Sequence, residues 1–163
     1  MRVYIPSTLP HLAAVCAAGI IDSTPITAFA VTPTLREWYV EGDLEELEYA
    51  AMTEAARASL RLLDIDISAP RRRVVIAVDA PDREARPAPD LDRAVVRLLT
   101  PMPWSSVASV HVDATEAVPD VAAAVDNVLA ADLGDDDAQF VVDGAEDHEL
   151  QWWATQEIPD LLR

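Results

Sequence analysis

The sequence contains no lysine: its 12 basic residues are all arginines, set against 29 aspartates and glutamates. The resulting net charge of −17 repels phosphate backbones and anionic lipids, so we expect no general nucleic-acid binding and no membrane binding. A single cysteine, Cys16, rules out an internal disulfide and favours a reducing, cytoplasmic location. No apolar run reaches the length needed to cross a bilayer.

Glycine is also scarce, with four residues in a chain of 163. The sequence has no glycine-rich loop that could cradle a phosphate, and no serine lies in a nucleophile elbow. We therefore predict no cofactor, and the missing catalytic signatures favour a non-catalytic protein. The one basic cluster, Arg71, Arg72 and Arg73, leads into an apolar strand and is interpreted as a solvated strand edge.

Two segments of the chain share a pattern. Residues 2–12 and 109–121 each read as a short alternating strand, a polar turn and a helix that begins near a proline. This repeat predicts a single domain over residues 1–163, with halves at about 1–32 and 107–158 and an insertion at 33–106. We expect a ferredoxin-like α+β two-layer sandwich made from two strand–helix–strand repeats, with a mixed sheet of five to six strands.

The insertion contributes a long helix and a pair of strands. Asp43 and Glu46 have the spacing of a capping box, which predicts a helix over 44–63. The continuous apolar run 74–78 is typical of a strand buried on both faces. Further predicted elements are strands at 2–5, 26–32, 94–99 and 107–112, and helices at 118–130 and 136–145. For residues 148–156 a strand and a helix beginning near Glu146 both stay open.

Several segments resemble a known family. They are AVTPTLREWY (30–39), EELEYAA (45–51), EDHEL (146–150) and ATQEIP (154–159). Together they resemble a family of short, acidic actinobacterial proteins classed as a domain of unknown function. The resemblance implies a bacterial, cytoplasmic protein, and it carries over no activity, cofactor or catalytic residue.

One candidate site would bind a metal. His111 and Asp113 alternate on a predicted strand and so share one face. If a strand beginning at His148 and Glu149 lies nearby, two imidazoles and two carboxylates converge, and such ligands suit a divalent transition metal. This predicts, as an alternative function, a metal-dependent hydrolase. The competing interpretation is that both histidines are ordinary solvated residues.

The leading candidate site would bind a protein. Trp152 and Trp153 point to opposite faces if they lie on a strand, which leaves one tryptophan on the outer face as an anchor for a partner. The acidic segment 132–149 would attract a basic patch on that partner. The partner is another protein or a second copy in a homodimer; a nucleic-acid mimic is a further alternative. The predicted binding residues are Trp152, Trp153, Asp143, Glu146 and Asp147.

Overall fold

A seven-stranded antiparallel sheet forms the centre of the computed structural model, which describes residues 1–163. Its strands, in chain order, are β1 (Arg2–Ser7), β3 (Ile26–Ala30), β4 (Val74–Asp79), β5 (Ala85–Pro87), β6 (Val95–Leu98), β8 (Val107–Val112) and β9 (Gln151–Trp153). They are ordered β5-β6-β3-β1-β4-β8-β9 across the sheet. The two-residue strands β2 (Ile20–Ile21) and β7 (Met102–Pro103) pair separately.

Six helices accompany these strands, five between them and one after β9, and side-chain caps set where several of the helices begin. They are α1 (Leu9–Ala18), α2 (Pro33–Trp38), α3 (Leu44–Ile65), α4 (Val118–Asp132), α5 (Asp136–Glu146) and α6 (Ile158–Leu161). Thr8, Thr32, Asp43 and Asp135 each accept a hydrogen bond from a backbone amide in the first turn of the helix that follows. None of the helices is long and apolar enough to cross a membrane.

Helices cover both faces of the sheet. Val3 and Ile5 of β1 pack in one apolar cluster with Leu12 of α1, whereas Tyr4 between them packs in another with Leu47 of α3. Since successive strand residues point to opposite faces, α1 and α3 lie on opposite sides. The expected two-layer sandwich is therefore wrong, because the fold has three layers. A third cluster joins α3 to the hairpin of α4 and α5.

The sheet differs from the prediction in other ways. It has seven strands rather than five or six, and every strand pairing is antiparallel rather than mixed. The ferredoxin-like arrangement is not confirmed: each strand–helix–strand repeat returns to an antiparallel neighbour, β1 to β3 and β8 to β9. The general α+β class is correct. Residues 151–153 form a strand, and α5 ends at Glu146, which decides the open choice for this segment.

Small residues let α3 approach the sheet closely. Ala51, Ala55, Ala56 and Ser59 are all buried along its inner face. The larger residues Tyr49 and Met52 lie beside this stripe and are turned toward the β8–β9 side, where they line a cleft. The close approach of α3 to the middle of the sheet thus leaves a cleft open beside its β9 edge.

Candidate functional site

The cleft has a volume of about 390 Å³. One wall is the N-terminal half of α3, the opposite wall is the β8–β9 edge, and the end of α5 with the linker to β9 closes one side. The lining residues are Tyr49, Met52, Thr53, Ala56, Arg73, His111, Glu146, His148, Glu149, Leu150 and Trp152. The cleft therefore gathers residues from four separate parts of the chain.

A buried ion pair lies at the base of the cleft. The guanidinium of Arg73 donates from Nε to Asp113 Oδ2 at 2.8 Å and from Nη2 to Asp113 Oδ1 at 2.8 Å. The Arg73 amide donates to the same carboxylate at 2.7 Å, and Nη2 also donates to the carbonyl of His148 at 2.9 Å. Both side chains are almost completely buried. This network ties the α5–β9 linker to the sheet and so holds one wall of the cleft in place.

The interpretation of Arg73 as part of a solvated strand edge is wrong. Its side chain is 3% exposed because a fully buried carboxylate lies opposite it, on the neighbouring strand end. That partner, Asp113, is 40 residues away along the chain. The sequence offered no local signal for the pair.

The four predicted metal ligands have other partners or stay apart. Asp113 is occupied by Arg73, His111 Nε2 lies 3.0 Å from Ser109 Oγ, and His148 Nε2 lies 2.7 Å from Asp120 Oδ2. Nowhere in the chain do three or more His, Cys, Asp or Glu side chains form a group that could hold a metal ion. Although His111, His148 and Glu149 all line the cleft, the geometry gives no support to a metal-dependent hydrolase.

Burial perturbs two ionisable groups in the cleft. Burial lowers the pKa of His111, and the positive charge of Arg2 lowers it further, so both favour the neutral imidazole. It raises the pKa of Glu146, although Arg57 Nη1, 3.7 Å from Oε1, opposes the shift. The cleft therefore holds a carboxylate that has lost part of its hydration.

We expect Glu146→Gln to raise the free energy of unfolding at pH 7. A carboxyl whose pKa is higher in the folded protein costs stability once it ionises, so wild type loses stability as pH rises above the unfolded value of about 4.3. The difference between variant and wild type should therefore be absent near pH 4 and fully present above the folded pKa. Urea unfolding across this pH range measures it.

Glu149→Gln is the matched control for this experiment. It removes the same charge from an exposed position in the same cleft, so it should leave the free energy of unfolding at pH 7 close to that of wild type. A Glu146→Gln protein less stable than wild type at pH 7 would mean that the Arg57 contact outweighs the loss of hydration.

Two exposed aromatic rings stand on opposite walls of the cleft. Trp152 is 61% exposed on β9, and Tyr49 is 58% exposed on α3. Trp153 points to the other face of the sheet, as the alternation predicted, and packs partly buried against the main apolar cluster. Its indole Nε1 is buried without a hydrogen-bond partner.

The structure separates the five predicted binding residues. Trp152 and Glu146 line the cleft, whereas Trp153, Asp143 and Asp147 do not. Asp143 is exposed on α5 and accepts a hydrogen bond from Gln139 at 2.7 Å. Sequence reasoning missed Tyr49, although its position beside the apolar stripe of α3 was a usable signal.

The fold and the cleft define an α+β protein with helices on both faces of an antiparallel sheet and an open cleft at one edge. Over residues 1–162 the chain matches the model of a Family of unknown function (DUF6912), and it belongs to that family. The predicted resemblance to a family of unknown function is confirmed. No curated protein and no solved structure matches the chain.

Proposed function

We propose that this protein is a non-catalytic binding module of the cytoplasm whose cleft receives a basic segment of a partner protein. The observation that carries the proposal is the exposure of Trp152 at the mouth of the cleft, opposite Tyr49. Tryptophan and tyrosine are the residue types most enriched among the anchors of protein interfaces. Their faces also attract cations, which favours an arginine or lysine side chain in the cleft.

Charge selects the class of partner. The chain carries a net charge of −17, and carboxylates lie both inside the cleft, at Glu146 and Glu149, and next to it, at Asp143 and Asp147. Such a field accelerates encounter with a positively charged surface and repels a negatively charged one. A second copy of the chain carries the same −17, so a basic partner is favoured over a homodimer.

We expect Trp152→Ala to weaken partner binding by about 30-fold, which is about 2 kcal/mol and is typical of an anchor residue. The immobilised wild-type chain is used to recover bound proteins from a lysate of the source cells, and mass spectrometry identifies them. The recovered partner is then purified, and its Kd is measured by calorimetry against wild type and the variant.

Trp38→Ala is the matched control. Trp38 is also 61% exposed, but it lies on α2 under the guanidinium of Arg93, 3.5 Å from the ring centroid, and does not line the cleft. We expect its Kd to equal that of wild type. Equal Kd values for wild type and Trp152→Ala would reject the cleft as the binding site.

A further inference from the structure

The two edges of the central sheet differ in the residues that discourage pairing with another strand. β9 ends the strand order and pairs only with β8. The uncharged stretch 150–156, which contains it, has neither a charged residue nor a proline. The opposite edge strand, β5, carries Arg86 and ends at Pro87, two residue types that block pairing with another strand. The β9 edge therefore lacks the protection that the β5 edge has.

The hydrogen bonds of β8 show which of its residues face β9. In an antiparallel ladder the N–H and C=O groups of successive residues point alternately to the two neighbouring strands. Asp113, directly after β8, donates its amide to the carbonyl of Arg73, on the β4 side, at 3.1 Å. Since the backbone of Asp113 faces β4, the N–H and C=O groups of Val112 and Val110, one and three residues earlier, point toward β9.

The same alternation leaves the backbone of Trp152 facing outward. Gln151 and Trp153 lie opposite Val112 and Val110, so their backbone groups form hydrogen bonds with β8. Trp152, between them, presents its N–H and C=O to the open edge. The next outward-facing amide, that of Ala154, donates a hydrogen bond to Glu157 Oε1 at 2.9 Å. One free donor and one free acceptor therefore lie on the same residue whose ring stands at the mouth of the cleft.

The geometry points to strand addition: an extended, basic segment of the partner pairs with the outward N–H and C=O of Trp152 and extends the sheet beyond β9. This inference rests on the proposed binding function and specifies its mode and the conformation of the bound segment. Main-chain hydrogen bonds supply affinity in this mode, and alternate side chains supply specificity.

Charge again decides between the possible occupants. Glu149 precedes the uncharged stretch and Glu157 follows it, so an added strand lies between two carboxylates. An edge-to-edge homodimer would bring those carboxylates together with their copies, whereas an arginine-bearing strand would neutralise them. The occupant that fits is a basic segment of a different protein.

The probe is a seven-residue peptide of alternating arginine and valine, acetylated and amidated at its ends. We expect it to bind wild type, to protect the Trp152 amide from hydrogen exchange measured by NMR, and to outcompete a glutamate–valine peptide by at least about tenfold. Two further peptides are N-methylated at all valines or at all arginines. Because alternate residues of an added strand face β9, one methylated set should weaken binding by at least about tenfold and the other by much less.

Each of the following results would overturn the inference. No binding, equal weakening by both methylated sets, or an unprotected Trp152 amide in the complex would reject strand addition. A dimeric mass with a Trp152 amide already protected in the free protein would assign the edge to a second copy. The Trp152→Ala measurement on the recovered partner is independent, so docking through the ring alone can survive when strand addition fails.

Discussion

Asp113→Asn is expected to lower the free energy of unfolding by about 3 kcal/mol, because it leaves the guanidinium of Arg73 buried without a counter-charge. Asparagine keeps the shape of the side chain but removes the charge that balances three donated hydrogen bonds. Urea unfolding followed by circular dichroism measures the change.

Asp79→Asn is the control for this prediction. Asp79 also pairs with an arginine, Arg2, at 2.7 Å, but its side chain is 61% exposed where that of Asp113 is fully buried. An exposed pair contributes less than about 1 kcal/mol, so this variant should unfold close to wild type. Similar losses in the two variants would show that burial does not set the strength of the Arg73–Asp113 pair.

Asp113→Asn should also disturb the cleft. Arg73 Nη2 also holds the carbonyl of His148, in the linker that leads into β9. With Arg73 no longer fixed by Asp113, the amides of residues 148–153 should exchange faster in the folded protein. Unchanged amide exchange at these residues would show that the ion pair stabilises the protein without positioning the cleft wall.

Ser59→Ala is expected to lower the free energy of unfolding by about 2–4 kcal/mol, because it leaves two buried backbone groups without partners. The Ser59 hydroxyl donates to the carbonyl of Ser7 at 2.8 Å and accepts from the amide of Val74 at 3.1 Å. It thus links α3 to the paired ends of β1 and β4. Chemical denaturation of the variant and wild type measures the loss.

Thr53→Ala tests whether the loss of stability expected for Ser59→Ala depends on the burial of its hydrogen bonds. Thr53 lies on the same helix and donates its hydroxyl to the carbonyl of Tyr49 at 3.0 Å in an exposed position. Water can replace that bond, so the change should be within about 0.5 kcal/mol. A Ser59→Ala protein as stable as this control would mean that Ser7 and Val74 find other partners.

Local signals in the sequence predicted most of the elements. The cap at Asp43 works within one helical turn, and the buried run of β4 is continuous, so neither signal depends on distant parts of the chain. Alternation within β9 predicted that its two tryptophans point apart. It could not tell which ring is exposed, because that depends on which helix packs over each face.

The sheet order and the cleft could not be predicted from local signals in the sequence. β5 has three residues, one of them Pro87, and is too short to show a periodic pattern. The two-layer prediction failed because α1 and α3 bury opposite faces of β1, which a strand–helix–strand pattern does not specify. The cleft depends on Arg73, whose partner is fixed only once β4 and β8 pair.

The most direct test of the binding proposal is photo-crosslinking in the source cells. The photoreactive residue p-benzoylphenylalanine replaces Thr53, which lines the cleft and leaves Trp152 intact, in one protein and Trp38 in a control. We predict that position 53 crosslinks to a distinct polypeptide whose contacting segment is basic, and that position 38 does not. No crosslink at position 53, or a crosslink only to a second copy of this chain, would contradict the proposal.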